Sequence, residues 1–260
     1  MKIGVVGGGP AGLYFALLMK KLDPAHEIRL LEQNPAHATY GWGVVFSDRA
    51  LSFLGNSDPE SHLDIKSDLE VWDKLVIVHK DEPVAIDGSL FSGISRIRLL
   101  RILHEHCRRR GVDLQFETRL DDLDVFADCD LIVGADGVSS FVRQKYGDFF
   151  QPSVVRNRRW YHDNVVLIGD ALRTVHFSIG SGTRTAFEDA MALSGALERD
   201  GGDVQAALQR FENIRKPSAD QLLEVAQKSL AWYEDMRHIM ILLKNPSFTL
   251  RPTQGERRGG

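Results

Sequence analysis

The chain has 260 residues, 43% of them hydrophobic and 26% charged, with 23 glycines. This composition is typical of a globular protein and excludes a disordered, collagen-like or coiled-coil chain. A formal net charge of −4 argues against a nucleic-acid partner, which would require a basic surface. Cys107 and Cys129 are too few for a disulfide framework or a cysteine-rich zinc site, and we expect reduced thiols in a cytoplasmic protein.

The N-terminal residues predict a strand, a glycine-rich turn, a helix and a second strand. Apolar side chains in Lys2–Val6 and Glu27–Leu31 suit buried strands, and residues 11–22 carry apolar side chains at helical spacing. Residues 3–19 carry no charge, but the glycines and the proline among them argue against a signal peptide or a membrane span. We therefore expect a β-α-β unit of the kind that forms parallel sheets, in a protein with no membrane association.

The rest of the chain alternates between strand and helix patterns. In chain order, the further predicted elements are a glycine-rich loop at 40–45, a short helix at 47–54, a polar connection at 56–61, a hairpin with strands at 75–79 and 84–86, a helix at 95–110, strands at 112–117 and 131–133, a helix at 138–146, a strand at 165–168, and helices at 183–197, 204–216 and 219–243. We expect Gly111 to cap the helix at 95–110 and Pro217 to separate the last two helices. Such alternation predicts an open, mostly parallel sheet that binds ligands at the carboxyl ends of its strands.

Residues 7–12 spell G-x-G-x-x-G between the first strand and the first helix. Gly7 suits the tight turn, Gly9 would let the backbone approach a pyrophosphate, and Gly12 would let the helix pack close to the strand. Glu32 ends the next strand and can accept hydrogen bonds from ribose hydroxyls, which favours NAD or FAD over NADP. The alternative is a glycine-rich turn that binds nothing. The candidate nucleotide-binding residues of this region are Gly7, Gly9, Pro10, Ala11, Gly12, Glu32 and Gln33.

Three further motifs resemble those of the FAD-dependent aromatic-ring monooxygenases of the para-hydroxybenzoate hydroxylase type. Asp136-Gly137 and Gly169-Asp170 each follow a buried strand, and Arg96 with Leu99 forms an R-x-x-L pattern at a helix start. The resemblance implies noncovalent FAD, with Asp170 near the ribityl chain and Arg96 near the phosphates. It also implies NAD(P)H as transient electron donor, O2 as oxidant and a small aromatic substrate.

A closer resemblance is to the branch that hydroxylates salicyloyl-CoA or anthraniloyl-CoA, together with a hydroxylase of a tryptophan derivative. Residues 41–47 (GWGVVFS) and 176–183 (HFSIGSGT) carry it. The glycines of the second segment precede a helix, so their N–H groups can face the flavin or an oxygen anion; the alternative is a helix cap without a ligand. His176 either lines the flavin face or is a structural histidine. The candidates here are Gly180, Ser181, Gly182 and Thr183, and we predict no metal site.

The chain departs from the resembled family between its Asp-Gly and Gly-Asp motifs. Only residues 138–168 lie there, whereas family members carry a long segment that builds most of a second sheet over the substrate and the flavin. The predicted junction lies near residues 152–154. We therefore expect an α/β fold: a Rossmann-like FAD-binding domain with a mostly parallel sheet (1–56 plus 89–200), a remnant β-hairpin of the substrate domain (57–88) and C-terminal helices (201–260).

The shortened segment sets the functional expectation. Because less protein shields the flavin from water, we expect NAD(P)H oxidation that releases hydrogen peroxide with little hydroxylated product. The alternatives are a minimal FAD-binding module, a still-active aromatic acyl-CoA hydroxylase, and an interaction protein with a vestigial nucleotide site. Apolar surface left exposed around the hairpin favours a homodimer.

Overall fold

Two sheets and seven α-helices make up the part of the chain that the structure describes. The structure is a computed structural model, and it describes residues 1–39, 41, 43–47, 52–79, 81–146, 157–176 and 180–242. The strands are β1 (Lys2–Val6), β2 (Glu27–Leu31), β3 (Gly43–Ser47), β4 (Glu70–His79), β5 (Glu82–Ser95), β6 (Asp113–Gln115), β7 (Leu131–Gly134), β8 (Tyr161–His162) and β9 (Val165–Leu167). The helices are α1 (Pro10–Leu22), α2 (Ser52–Ser57), α3 (Pro59–Ser67), α4 (Arg96–Arg109), α5 (Phe141–Tyr146), α6 (Gly182–Arg199) and α7 (Val204–Leu242), with short 3-10 turns at Asp124–Phe126 and Gly169–Ala171.

The larger sheet has six strands in the order β6-β2-β1-β7-β9-β8. All of its pairings are parallel except that of β8, a strand missed by the sequence pattern, which runs antiparallel to β9. This confirms the predicted α/β fold with a Rossmann-like, mostly parallel sheet. Because β1 lies between β2 and β7, the turn after β1 adjoins the carboxyl ends of both neighbours.

Helix α1 is the centre of the core. It is buried along nearly its whole length and lies against α4 and α6. The ring of Tyr14 packs edge-on against Phe187 of α6, with ring centroids 4.9 Å apart. The helix that begins at the glycine-rich turn is therefore fixed in place by the two helices packed against it.

The smaller sheet is antiparallel, in the order β3-β5-β4. The predicted hairpin is confirmed but is longer than predicted, because β4 begins five residues before the predicted strand and β5 continues nine residues beyond it. Strand β5 continues directly into α4, where the Ser95 hydroxyl caps the helix by accepting a hydrogen bond from Arg98 N at 3.3 Å. Leu75, Val76 and Val78 of β4 remain exposed.

Residues 40–61 correct three of the sequence predictions. Residues 43–45 were predicted as loop but form β3, because they pair with β5. Of the predicted helix at 47–54, residue 47 lies in β3 and residues 52–54 lie in α2, whereas positions 48–51 lie outside the described residues. The polar connection at 56–61 is wrong as well: Asp58 accepts a hydrogen bond from Ser61 N at 3.2 Å and starts α3, with Pro59 in its first turn.

Pro217 does not separate two helices, as the sequence suggested, but lies inside α7. Proline removes one backbone hydrogen bond from a helix interior. The helix continues because its far side is anchored: Ala219 joins the main core, and Leu223 and Ala226 pack with Val175 in a small cluster of their own. Tertiary packing thus outweighs the local cost of the proline.

None of the described helices is long and apolar enough to cross a membrane. Gly111 caps α4 as predicted, with a φ of +78° and its N–H bonded to Arg108 O at 3.0 Å. The predicted junction at residues 152–154 lies outside the described residues. The division into a discontinuous FAD domain, a hairpin remnant and a helical segment stays a prediction.

Candidate cofactor site

The turn between β1 and α1 is built by glycines with two different jobs. Gly7 has a φ of +107°, and a Cβ on it would lie 2.4 Å from Ala135 O. A Cβ on Gly12 would lie 2.2 Å from Gly7 O. By contrast, no described atom lies within 4 Å of the place a Cβ on Gly9 would take. Gly7 and Gly12 therefore permit the packing of the turn, whereas Gly9 borders open space at the N-terminus of α1.

Glu32 stands beside this turn at the end of β2. One carboxylate oxygen accepts a hydrogen bond from Gly8 N at 2.7 Å, and the other accepts from Asn34 N at 2.8 Å and Asn34 Nδ2 at 2.7 Å. The backbone of Glu32 is tied to β6 through Gln115 O at 2.8 Å. The acid is thus placed at the predicted position, with its oxygens bonded to the loop; Gln33 next to it is exposed.

A cleft runs from this turn to α4. Its lining includes Gly9, Glu32, Thr39, Arg96 and His104. Two of these side chains carry buried polar atoms, Thr39 Oγ1 and His104 Nε2, with no hydrogen-bond partner among the described residues. Burial, with a contribution from the charge of Arg108, lowers the pKa of His104 to about 4, so its imidazole is neutral. Buried polar atoms without partners, next to a glycine with no described neighbour, fit a binding site for a polar ligand.

The Gly-Asp motif reaches the same place from β9. Gly169 has a φ of +62°, and a Cβ on it would lie 3.0 Å from Ala11 Cβ, so the loop packs directly on the first turn of α1. Asp170 directly follows it. Desolvation by the surrounding protein raises the pKa of Asp170, while the positive charges of Arg96 and Arg173 oppose the rise. The structure therefore brings the glycine turn, Arg96 and Asp170 together.

The Asp-Gly motif has a structural task in this arrangement. Asp136 accepts hydrogen bonds from Ser140 Oγ and from Val142 N, and so caps α5. Arg143 of α5 is buried and donates to Val138 O and, at 2.9 Å, to Ala171 O. The Asp-Gly loop is thereby fastened to the Gly-Asp loop by one arginine, a contact that the sequence pattern did not reveal.

The start of α6 forms the remaining edge. Gly180 has a φ of +59°, Ser181 is the N-cap, and Thr183 lies in the first turn. No described atom lies within 4 Å of a Cβ built on Gly180 or Gly182. His176 is half-buried and precedes residues 177–179, which lie outside the described residues. Its role at the flavin stays a prediction.

Sequence reasoning missed a buried ionic cluster behind the Gly-Asp loop. Asp189 of α6 is fully buried, accepts from Gly169 N at 3.0 Å, and pairs with Arg173 at 2.7 Å and with Arg215 of α7 at 3.1 Å. The only sequence signal was an aspartate among the alanines of a helix face that should be apolar. Its partners lie too far along the chain to be found by spacing.

Comparison with known proteins identifies relatives of this chain. No protein-family model matches the chain. A salicyloyl-CoA 5-hydroxylase of a Streptomyces species is 25% identical over 338 residues, covering 90% of this chain and 65% of the relative. A 3-hydroxy-4-methyl-anthranilyl-[aryl-carrier protein] 5-monooxygenase of Streptosporangium sibiricum is 26% identical over 316 residues, covering 90% of this chain and 89% of the relative. The chain is a homologue of the FAD-dependent aromatic-ring monooxygenases. The family predicted from Asp136-Gly137, Gly169-Asp170 and Arg96 is thereby confirmed.

Solved structures agree on the fold of this monooxygenase homologue. The tetrameric form of 2-methyl-3-hydroxypyridine-5-carboxylic acid oxygenase superposes with a TM-score of 0.72 at 17% identity, covering 95% of this chain and 94% of that one. The sequence alignments add a point about length. The alignment with the salicyloyl-CoA 5-hydroxylase runs over 338 residues, more than the 260 of the whole chain, so that relative has residues within the aligned span that this monooxygenase homologue lacks. The chain spans less than two thirds of that relative's length.

Proposed function

We propose that the chain binds FAD noncovalently in the cleft between the glycine turn, α4 and the Gly-Asp loop, and oxidises NAD(P)H with O2. The convergence of Gly9, Glu32, Arg96 and Asp170 at the N-terminus of α1 carries this proposal. These residues come from four separate segments, so their meeting is a property of the fold.

The residues fit the parts of FAD in order. The N–H groups after Pro10 in the first turn of α1 and the guanidinium of Arg96 suit the two phosphates, and the absence of any described atom beside Gly9 gives the backbone access to them. Glu32 would exchange its bond to Gly8 N for ribose hydroxyls. Asp170 suits the ribityl chain, and Gly180 to Thr183 offer N–H groups to the flavin ring. The orphaned Thr39 and His104 side chains gain a ligand near them.

FAD, when bound, would supply the redox chemistry for transfer of two electrons from NAD(P)H to O2. The protein has to hold the substrate and exclude water. Two observations indicate that this chain holds the substrate and excludes water poorly. The relative with the longer alignment has residues that this chain lacks, and the β4 side chains Leu75, Val76 and Val78 are exposed. We infer that much of the substrate cover is absent, so that O2 leaves mainly as hydrogen peroxide.

A second candidate is retained hydroxylation. Two relatives carry names with aromatic acyl thioesters, one on CoA and one on a carrier protein. The corresponding substrate class for this chain is an aromatic acyl thioester, with a second copy of the chain closing the pocket. A solution mass of twice 29.2 kDa would support such a homodimer, and a mass of 29.2 kDa would count against it.

The visible spectrum of the purified protein tests the proposal first. Oxidised protein-bound flavin absorbs near about 370 and 450 nm. A coloured protein, or one that retains these bands after incubation with FAD and removal of the unbound cofactor, would support the site. A protein that is colourless after the same treatment would refute FAD binding and leave an interaction protein with a vestigial site. Flavin binding without NAD(P)H oxidation would identify a minimal FAD-binding module.

A further inference from the structure

A buried ionic cluster connects the long C-terminal helix to two segments of the candidate FAD site. Asp189 on α6 is fully buried and uses its two oxygens differently. One accepts from Gly169 N at 3.0 Å, directly before Asp170. The other accepts from Arg173 Nη2 at 2.7 Å and from Arg215 Nε and Nη2, each at 3.1 Å. The backbone of the Gly-Asp loop is therefore fixed by a carboxylate that α7 helps to hold.

The same arginine is linked to the first turn of α6 through the carboxylate of Glu188. Arg215 Nη2 donates to Glu188 Oε2 at 3.1 Å, and the other oxygen of Glu188 accepts from Arg184 Nε at 2.8 Å. Arg184 directly follows Thr183, in the segment that contains Gly180 and Gly182. One side chain of α7 thus bridges the two carboxylates that hold the Gly-Asp loop and the start of α6.

We propose that Arg215 is a positioning residue for flavin binding: it ties α7 to the Asp189 carboxylate that holds Gly169 N and, through Glu188 and Arg184, to the first turn of α6. This inference rests on the proposed binding of FAD. Arg215 does not touch the cleft itself; it acts through Asp189 on Gly169 and thereby on Asp170.

The chemistry of the guanidinium supports this role. A planar fork with several donors can bind two carboxylates at once, whereas an ammonium group acts as a single point charge. Arg173 already compensates the charge of Asp189, with their atoms 2.7 Å apart and both side chains buried. The second arginine therefore adds a geometric constraint beyond charge compensation, and losing it leaves Gly169 N bonded to a carboxylate that can shift.

FAD affinity, measured by fluorescence titration of apoprotein, tests the inference with three variants. Arg215→Met removes the grip, and we expect the dissociation constant for FAD to rise tenfold or more. Arg215→Lys keeps the charge without the fork and should raise it several-fold. The matched control is Arg210→Met on the same helix, which breaks a two-bond pair with Asp200 (2.7 and 2.6 Å) away from the site. Its dissociation constant should stay within twofold of the wild type.

Hydrogen exchange of the Gly169 amide in apoprotein supplies a readout independent of cofactor. We expect faster exchange in Arg215→Met and Arg215→Lys and unchanged exchange in Arg210→Met. Wild-type FAD affinity in Arg215→Met would overturn the inference and leave the proposed function intact. If Arg215→Met unfolds, wild-type affinity and exchange in Arg215→Lys would overturn it, because Arg215 would then serve only as a stabilising charge. A wild-type protein that binds no FAD refutes the proposed function and this inference with it.

Discussion

Single glycines of the β1–α1 turn separate folding from ligand binding. Gly9 has extended backbone angles, with φ −78° and ψ 177°, and no described atom lies near the position that a Cβ on it would take, so Gly9→Val should fold. We expect its unfolding free energy to stay within about 1 kcal/mol of the wild type. The valine side chain would project into the space that the phosphates of FAD need, so FAD affinity should fall by at least a hundredfold in a titration.

Gly12→Val is the matched comparison. Its Cβ would lie 2.2 Å from Gly7 O, a backbone atom that cannot move without opening the turn. We expect a loss of at least about 2 kcal/mol of unfolding free energy, measured by urea denaturation of apoprotein. Equal stability losses in Gly9→Val and Gly12→Val would contradict the division of labour between these glycines.

His104 predicts an acid-sensitive stability. Burial lowers the pKa of its imidazole from 6.5 to about 4. A depressed folded pKa means that the unfolded chain takes up the proton first, so this contribution to stability is complete above pH 6.5 and declines as the pH falls towards 4. Since one pKa unit corresponds to about 1.4 kcal/mol, the loss by pH 5 should be about 2 kcal/mol. His104→Phe should lose correspondingly less unfolding free energy between pH 7 and pH 5, and identical pH profiles would refute this.

At the residue scale, the candidate residues of the glycine turn could be predicted from the sequence because their spacing rules are local. The tasks of Gly7, Gly12 and Gly111 follow from backbone geometry, which short motifs encode. The tasks of Asp136 and Asp189 do not. Asp136 caps a helix, and Asp189 accepts from Gly169 N while it pairs with Arg215, 26 positions further along the chain. These contacts are defined only in the folded chain.

At the scale of elements, the passage from β5 into α4 decides where Arg96 lies. Ser95 ends the strand and caps the helix whose first residue is Arg96. Ser95→Ala should cost about 1 kcal/mol of unfolding free energy, because the first helical N–H groups lose their acceptor. Since the freed first turn carries Arg96, FAD affinity should fall as well. Ser95→Asp restores an acceptor at the same place, and failure of this variant to recover stability would count against the cap.

Element boundaries were predicted well where capping and burial agree and poorly where tertiary pairing decides. The helix at 95–110 was placed within a residue at each end, since Ser95 and Gly111 mark it locally. Residues 43–45 look like a loop because Gly41 and Gly43 lie in or beside them, yet backbone pairing with β5 makes them a strand. Pro217 looks like a stop, yet the packing of Ala219 beyond it continues the helix.

At the scale of the whole molecule, the ratio of hydrogen peroxide to hydroxylated product indicates how much of the substrate cover is present. If that cover is largely absent, hydrogen peroxide should form nearly in step with NAD(P)H consumption, and aromatic thioesters should not change the ratio. The measurement is parallel assay of NAD(P)H loss, peroxide and hydroxylated product. The matched control is FAD alone, without protein. Hydroxylated product formed in step with NAD(P)H, with little peroxide, would contradict the proposal and favour the hydroxylase alternative.

The contrast between Gly9 and the other two motif glycines, Gly7 and Gly12, provides a way to judge from sequence whether other chains of this fold still bind a nucleotide. Gly7 and Gly12 are needed by the polypeptide itself, so a descendant that has abandoned nucleotide chemistry would still be under selection to keep them. A Cβ on Gly9 meets no described atom of the chain, so the proposed ligand is what would require a glycine there. A sequence that retains the outer two glycines and has exchanged the middle one for a bulky residue should therefore mark a lineage in which the scaffold outlived its cofactor.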